Sequence, residues 1–205
     1  MELKDDSILR FWQWFVKNEI IIKECIENRH SVNKDYVVAQ MNELILSLGV
    51  LTWDVGLDED ERWFLTLSPN GNEDMFKISR KIMAEAPGHM DWLFYASRPA
   101  KKWNREFVVY DNNMDEQNID ASPWHYIVFE EHNGKLELVI EAKNIPQLDP
   151  ETAEVAAEQF VINEVGEATR ILNLSSIQIV HTLESEYESS KTPVKDLKDH
   201  LAEIL

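Results

Sequence analysis

The chain has 205 residues, with 38 acidic against 20 basic, a net charge of −18, one cysteine and 10% aromatic residues including seven tryptophans. It is long enough to bury a substantial core, and its aromatic content excludes an acidic disordered polymer, which has few such side chains to bury. The charge disfavours nucleic acid and anionic membrane as partners, because both carry the sign of the protein's own field, and it favours a basic protein partner.

Cys25 stands alone, so no intramolecular disulfide can form and no cysteine cluster can hold zinc. The start, Met1-Glu2-Leu3-Lys4-Asp5-Asp6, lacks the basic then apolar order of a signal peptide. No apolar run approaches the length of a bilayer span. These features lead us to expect a cytoplasmic protein with no membrane association.

A first helix is expected over residues 7–28, capped by Ser7 or Asp6, with Ile8, Phe11, Trp12, Phe15, Ile22 and Ile26 on a wide apolar face. Trp14, Ile21 and Cys25 fall on another side. A helix this apolar is either covered by the chain's own layers or by a second copy, which gives a possible homodimer through Trp12-Gln13-Trp14. A second helix from Asn33 or Lys34 to Leu48 carries Val37, Val38, Met41, Leu44, Ile45 and Leu48 on one stripe, and Gly49 suits its end. Segments 50–57 and 62–68 flank the acidic turn Asp58-Glu59-Asp60-Glu61 and predict a hairpin. Ser68-Pro69-Asn70-Gly71-Asn72 then turns the chain into a helix carrying Met75, Phe76, Ile78, Ile82 and Met83, which Ala86-Pro87-Gly88 ends.

Strands are expected over 92–97, 106–110, 124–131 and 135–143, the last two joined by His132-Asn133-Gly134, a strong type I′ turn signal. In the returning strand Leu136, Leu138 and Ile140 alternate with Glu137, Val139 and Glu141, as in a sheet with one buried face. Asp149-Pro150-Glu151-Thr152 begins a helix with Ala153, Ala156, Ala157, Phe160 and Val161 on one face, ending near Gly166. Ile177, Ile179, His181 and Leu183 alternate with Gln178, Val180 and Thr182 and predict a further strand. Thr192-Pro193 is expected to open a final amphipathic helix with Val194, Leu197, Leu201, Ile204 and Leu205. With no repeat and no linker composition, the whole reads as a single α+β domain over 1–205. It would be a mixed or largely antiparallel sheet with two N-terminal helices, a mid-chain helix and C-terminal helices packed on it.

The six glycines are too dispersed for a phosphate loop or a dinucleotide fingerprint, and no Gly-x-Ser-x-Gly elbow occurs. The six histidines, His30, His89, His125, His132, His181 and His200, show no helical zinc-ligand spacing, so no metal and no cofactor is expected. Over 111–120, Asp111, Asn113 and Asp115 alternate as in a calcium loop. Glu116 stands where the sharp turn needs Gly, however, and Ser122 where a bidentate Glu belongs, so the stretch reads as a solvated acidic loop. Cys25, amid apolar residues, reads as packing, and His181 as a core histidine. His125, flanked by Trp124 and Tyr126, is a candidate pocket wall.

One stretch runs against the charge. Arg98-Pro99-Ala100-Lys101-Lys102-Trp103-Asn104-Arg105 holds four of the 20 basic residues and no acid, which leaves 16 against 38, or −22, elsewhere. Arg98, Lys101, Lys102, Trp103 and Arg105 could form an anion site with an aromatic wall, since guanidinium matches carboxylate and phosphate geometry. Alternatively these cations pair with the protein's own acid, for example 58–61, and the surplus of acid favours that second reading.

The runs Ala84-Glu85-Ala86-Pro87, Trp92-Leu93-Phe94-Tyr95-Ala96, Arg98-Pro99 and Asn163-Glu164-Val165-Gly166-Glu167 resemble a family of small uncharacterised cytosolic bacterial proteins. That resemblance brings no activity with it. In composition the chain is also similar to acidic immunity proteins that neutralise toxins. The expected function is therefore a non-enzymatic acidic binding or adaptor protein, immunity-like, with a basic protein partner. The alternative is an enzyme or small-ligand sensor using the basic loop and His125.

Overall fold

The computed structural model describes residues 5–27 and 33–205, so the expected helix end at residue 28 and His30 lie outside the described residues. Among the described residues, helices combine with antiparallel and mixed sheets in an α+β fold. None of these helices is long and apolar enough to cross a membrane. The chain divides into two compact units, Met1–Arg98 and Pro99–Leu205.

The first unit contains α1 (Asp5–Ile26), α2 (Lys34–Leu46), β1 (Thr52–Leu57), β2 (Trp63–Ser68), α3 (Glu73–Ala84) and β3 (Trp92–Tyr95). Asp6 and Ser7 lie inside α1, so neither caps it. The expected face is buried through Ile8, Phe11, Trp12, Phe15 and Ile22, and Cys25 joins it. Burial pushes the Cys25 thiol up, which suits packing and opposes reactivity. Trp12 donates its indole N–H to the Ile82 carbonyl (2.9 Å), while Leu9 and Ile20 remain exposed on the opposite side of α1. Asn33 caps α2 and Asn72 caps α3, each accepting from a backbone amide three residues on.

Strands β1 and β2 form the predicted hairpin, and β3 adds parallel to β2. Asp58 closes the turn by accepting from the amides of Asp60 and Arg62 and from the Arg62 guanidinium. Phe11, Trp12, Phe15, Trp92 and Phe94 pack largely edge to face in the core. At its margin the Lys23 ammonium lies over the rings of Trp63 and Trp92 and pairs with Glu19 at 2.6 Å.

The second unit opens with a two-stranded ribbon, β4 (Glu106–Tyr110) and β5 (Glu116–Asp120). The expected acidic loop over 111–120 is therefore corrected: only its first half is a turn. Asp111 closes that turn by accepting from the amides of Asn113 and Asp115 and from the Gln117 side chain, which holds its carboxyl below the usual range. Next come β6 (His125–Glu130), β7 (Leu136–Glu141), α4 (Pro150–Val165), α5 (Glu167–Asn173), β8 (Leu174–Val180), β9 (Thr192–Pro193) and α6 (Leu197–Ile204). The sheet runs β8-β7-β6-β9, with β8 parallel to β7 and the other pairs antiparallel.

Two boundaries differ from expectation. Thr192 and Pro193 pair with β6 as a short edge strand, where a missing amide hydrogen is tolerated, and the last helix begins only at Leu197. Strand β8 ends at Val180, so His181 is exposed and is not a core histidine. Gly166 separates α4 from α5 with φ 86° and ψ 150°, a region essentially confined to glycine.

Glu141, expected on the polar face of β7, is 2% exposed. It pairs with Lys191 and Lys143, both at 3.0 Å, and accepts from the Leu183 amide at 3.1 Å. Burial alone raises its pKa. The hydrogen bonds from Lys191, Leu183 and Lys143 outweigh it and bring the carboxyl to about 2. A folded-state pKa below the unfolded one contributes stability that is fully present above about pH 5 and is lost as pH falls towards 2, on the order of 3 kcal/mol. Urea unfolding measured across that window is expected to show a steeper acid loss for the wild type than for Glu141→Gln; equal slopes would remove Glu141 from this role.

Candidate functional site

The basic island spans the boundary between the units: Arg98 closes the first and Lys101 to Arg105 open the second. Within the second unit its path is set by the end of α4. The Lys101 amide donates to the Asn163 carbonyl at 2.7 Å. Trp103 packs at tilted angles against Phe107 and Phe160, and its indole N–H donates to Glu164 Oε2 at 3.0 Å. Arg105 donates from Nη2 to Glu164 Oε1 at 2.7 Å. One carboxylate thus receives two donors from the island.

Glu164 is 5% exposed because α4 continues its buried stripe to its last turn, where Ala157, Phe160, Val161 and Glu164 share helical spacing. A carboxylate in that position must be paired, since an isolated buried charge is very costly. Arg105 meets the requirement under strain. Its φ is 68°, uncommon for a bulky residue, and its Nε is buried without a partner, which costs about 1–3 kcal/mol. Its carbonyl accepts from the Ala121 amide at 2.9 Å, continuing the ladder of the ribbon by one pair. Glu164 is held on both oxygens and acts as a fixed structural anion, with Arg105 and Trp103 turned towards it.

The remaining candidates are placed differently. Arg98 and Lys102 are exposed and each has an interaction partner, and the Lys101 side chain is also exposed. His125 is half-buried on β6, opposite Glu141 on one side and Pro193 on the other, and takes no part in the hydrogen bonds around Glu164. Asp58, weighed as an internal partner for the island, is occupied by Arg62 at 2.8 Å. Among the described residues no group of three or more His, Cys, Asp or Glu side chains could hold a metal ion.

Reasoning from sequence overlooked Glu164 and Glu141. A signal for Glu164 existed in its position four residues after Phe160, on the apolar stripe of α4. For Glu141 there was none, because strict alternation assigns it to the solvent face.

No protein-family model, no curated protein and no solved structure matches the chain. The functional reading consequently rests on its own geometry.

Glu164→Ala removes the acceptor of both Arg105 and Trp103 and is expected to destabilise the second unit by about 2–4 kcal/mol. The coupling energy between Glu164→Ala and Arg105→Ala in a double-mutant cycle is expected to exceed about 1 kcal/mol. Additive losses in urea unfolding would mean that the pair is incidental.

Proposed function

We propose that this is a non-enzymatic cytoplasmic binding protein that engages a basic protein partner through its acidic surface, in the manner of an immunity or adaptor protein. The observation that carries this reading is the fate of the island. Its most ligand-like side chains, Arg105 and Trp103, are committed to Glu164, so the feature that best suited an anionic ligand is used to fix a loop. The carboxylates of the β4–β5 ribbon, by contrast, have no cationic partner among the described residues. Glu106, Glu116 and Asp120 are exposed and form no ion pair.

Long-range attraction between surfaces of opposite sign raises association rates and weakens steeply as salt screens it. The test is capture from lysate at low salt, identification of the retained protein, and measurement of its affinity with both components purified. A partner with a basic contact surface, bound at least about tenfold more weakly at high salt, is the expected result. A purified complex insensitive to salt, or a partner of acidic character, would overturn the reading.

A further inference from the structure

The acidic-surface reading leaves open where the partner docks, and the β4–β5 ribbon supplies an answer that rests on that reading. The Asp111 amide donates to the Asp115 carbonyl and the Ala121 amide to the Arg105 carbonyl, which fixes the phase of the ladder between them. Hydrogen-bonded and non-hydrogen-bonded pairs alternate along an antiparallel ladder, so Glu106–Asp120, Val108–Asn118 and Tyr110–Glu116 are non-hydrogen-bonded pairs. In such pairs opposing side chains come closest, about 4.5 Å between Cα atoms. These three pairs form the outer face; Val109 and Ile119, on the other face, are buried in the core.

The outer face is not arranged like a solvated hairpin. At one end two carboxylates, Glu106 and Asp120, stand directly opposite each other, an unfavourable cross-strand pair. Each accepts one local hydrogen bond, from the Asn104 amide group and from the Ser122 backbone N–H respectively. Neither has a cationic partner among the described residues. Beside them Val108 is 38% exposed and Tyr110 53% exposed, and the Tyr110 hydroxyl donates to Glu116 at 3.0 Å. A depression of 460 Å3 runs along Glu106, Phe107, Val108, Asn118, Ile119 and Asp120.

The ribbon is also held firmly from behind. Arg105 anchors its start to Glu164, Gln159 of α4 donates to the Val108 carbonyl, and Asn112 in its turn donates to Glu151. A rigid sheet face whose apolar centre is bordered by unpaired, mutually repelling carboxylates is complementary to a side chain with an aliphatic stem and a cationic head. We propose that the outer face of the β4–β5 ribbon is the docking surface for a lysine- or arginine-bearing extended segment of the partner protein. One cationic head sits between Glu106 and Asp120, and its stem lies on Val108 and Tyr110.

The probe is a fluorescein-labelled peptide of alternating Lys and Val, titrated at low salt into the full chain. Glu106→Gln combined with Asp120→Asn removes two charges without changing shape. Asp199→Asn combined with Glu203→Gln removes two exposed charges on α6, away from the ribbon sequence. The ribbon variant is expected to bind at least about tenfold more weakly than wild type and the α6 variant within about twofold of it. Amide shifts in the wild-type titration should concentrate at residues 106–110 and 116–120. Both variants should keep the far-ultraviolet circular dichroism of the wild type, since the ribbon change relieves a repulsion. Equal weakening by the two variants, or amide shifts centred elsewhere, overturns the ribbon as the docking surface while leaving the acidic-surface reading intact. Failure of the wild type to bind the peptide at all, despite a purified basic partner that does bind, also overturns it; absence of both overturns the two together.

Discussion

An ionised carboxylate taken out of water needs donors, and in the second unit that requirement organises the loops. Glu164 draws the island to the end of α4, and Glu141 draws Lys191 and the Leu183 amide to β7. Neither anchor is cheap, because desolvating the ions offsets most of their attraction. What these pairs secure is position. Segments 101–105 and 181–191 contribute few large apolar side chains to the core, so a buried anion does for them what a leucine does for a helix. The left-handed backbone at Arg105 belongs to the same logic, since local strain persists where surrounding contacts over-determine it.

That economy separates two populations of acid. Asp58, Glu141, Glu164 and Glu19 are each bound to a cation and serve turns, strands or helix ends. The ribbon's Glu106, Glu116 and Asp120 each accept a local hydrogen bond but form no ion pair among the described residues. Surface carboxylates paired with Lys or Arg are largely neutralised at close range, so the unpaired group dominates the field a partner meets. The formal charge of −18 describes the whole chain, whereas the local field at any patch follows from where its cations sit.

Much of the fold could be read from the sequence because local chemistry and tertiary demand agree. The β6–β7 hairpin, the Asp149-Pro150 helix start, the Asn72 cap and the β1–β2 turn all form where their residues predict. The hairpin's turn type differs from the expected I′: only Gly134 is left-handed (φ 77°), and the Glu131 amide donates to the Lys135 carbonyl across a three-residue loop. Strand β5 gives no signal in the sequence because Glu-Gln-Asn-Ile-Asp carries one apolar residue, enough for a strand that buries only Ile119 but too little for a periodic pattern. The apolar alternation continues past the last ladder pair at Val180, so it extends the strand on paper to His181, which the fold leaves exposed. The break between units falls at Arg98–Pro99, where Ser97 and Pro99 stand singly and do not make the Gly/Ser/Pro run that marks a linker. The role of Arg105 was half legible: its charge was conspicuous, but its partner lies 59 residues away on a helix stripe that charge counting ignores.

A strongly acidic surface alone would be a poor recognition device. Coulomb attraction accelerates encounter with any basic protein, and at physiological ionic strength it fades beyond about 8 Å. Discrimination between basic partners has to come from contacts closer than that, where shape and desolvation count. The ribbon meets this condition because its carboxylates sit beside Val108 and Tyr110 on a backbone pinned to α4 at both its start and its turn. Pinning limits the entropy lost when a partner binds, and exposed apolar area gives a desolvation gain that salt does not screen. On the proposed reading the broad field steers and the ribbon selects, and the part of that selection which salt leaves unscreened is the burial of Val108 and Tyr110. The inward-turned Arg105 serves both: by binding Glu164 it holds the start of the ribbon in place while keeping its own positive charge off the ribbon's acidic outer face.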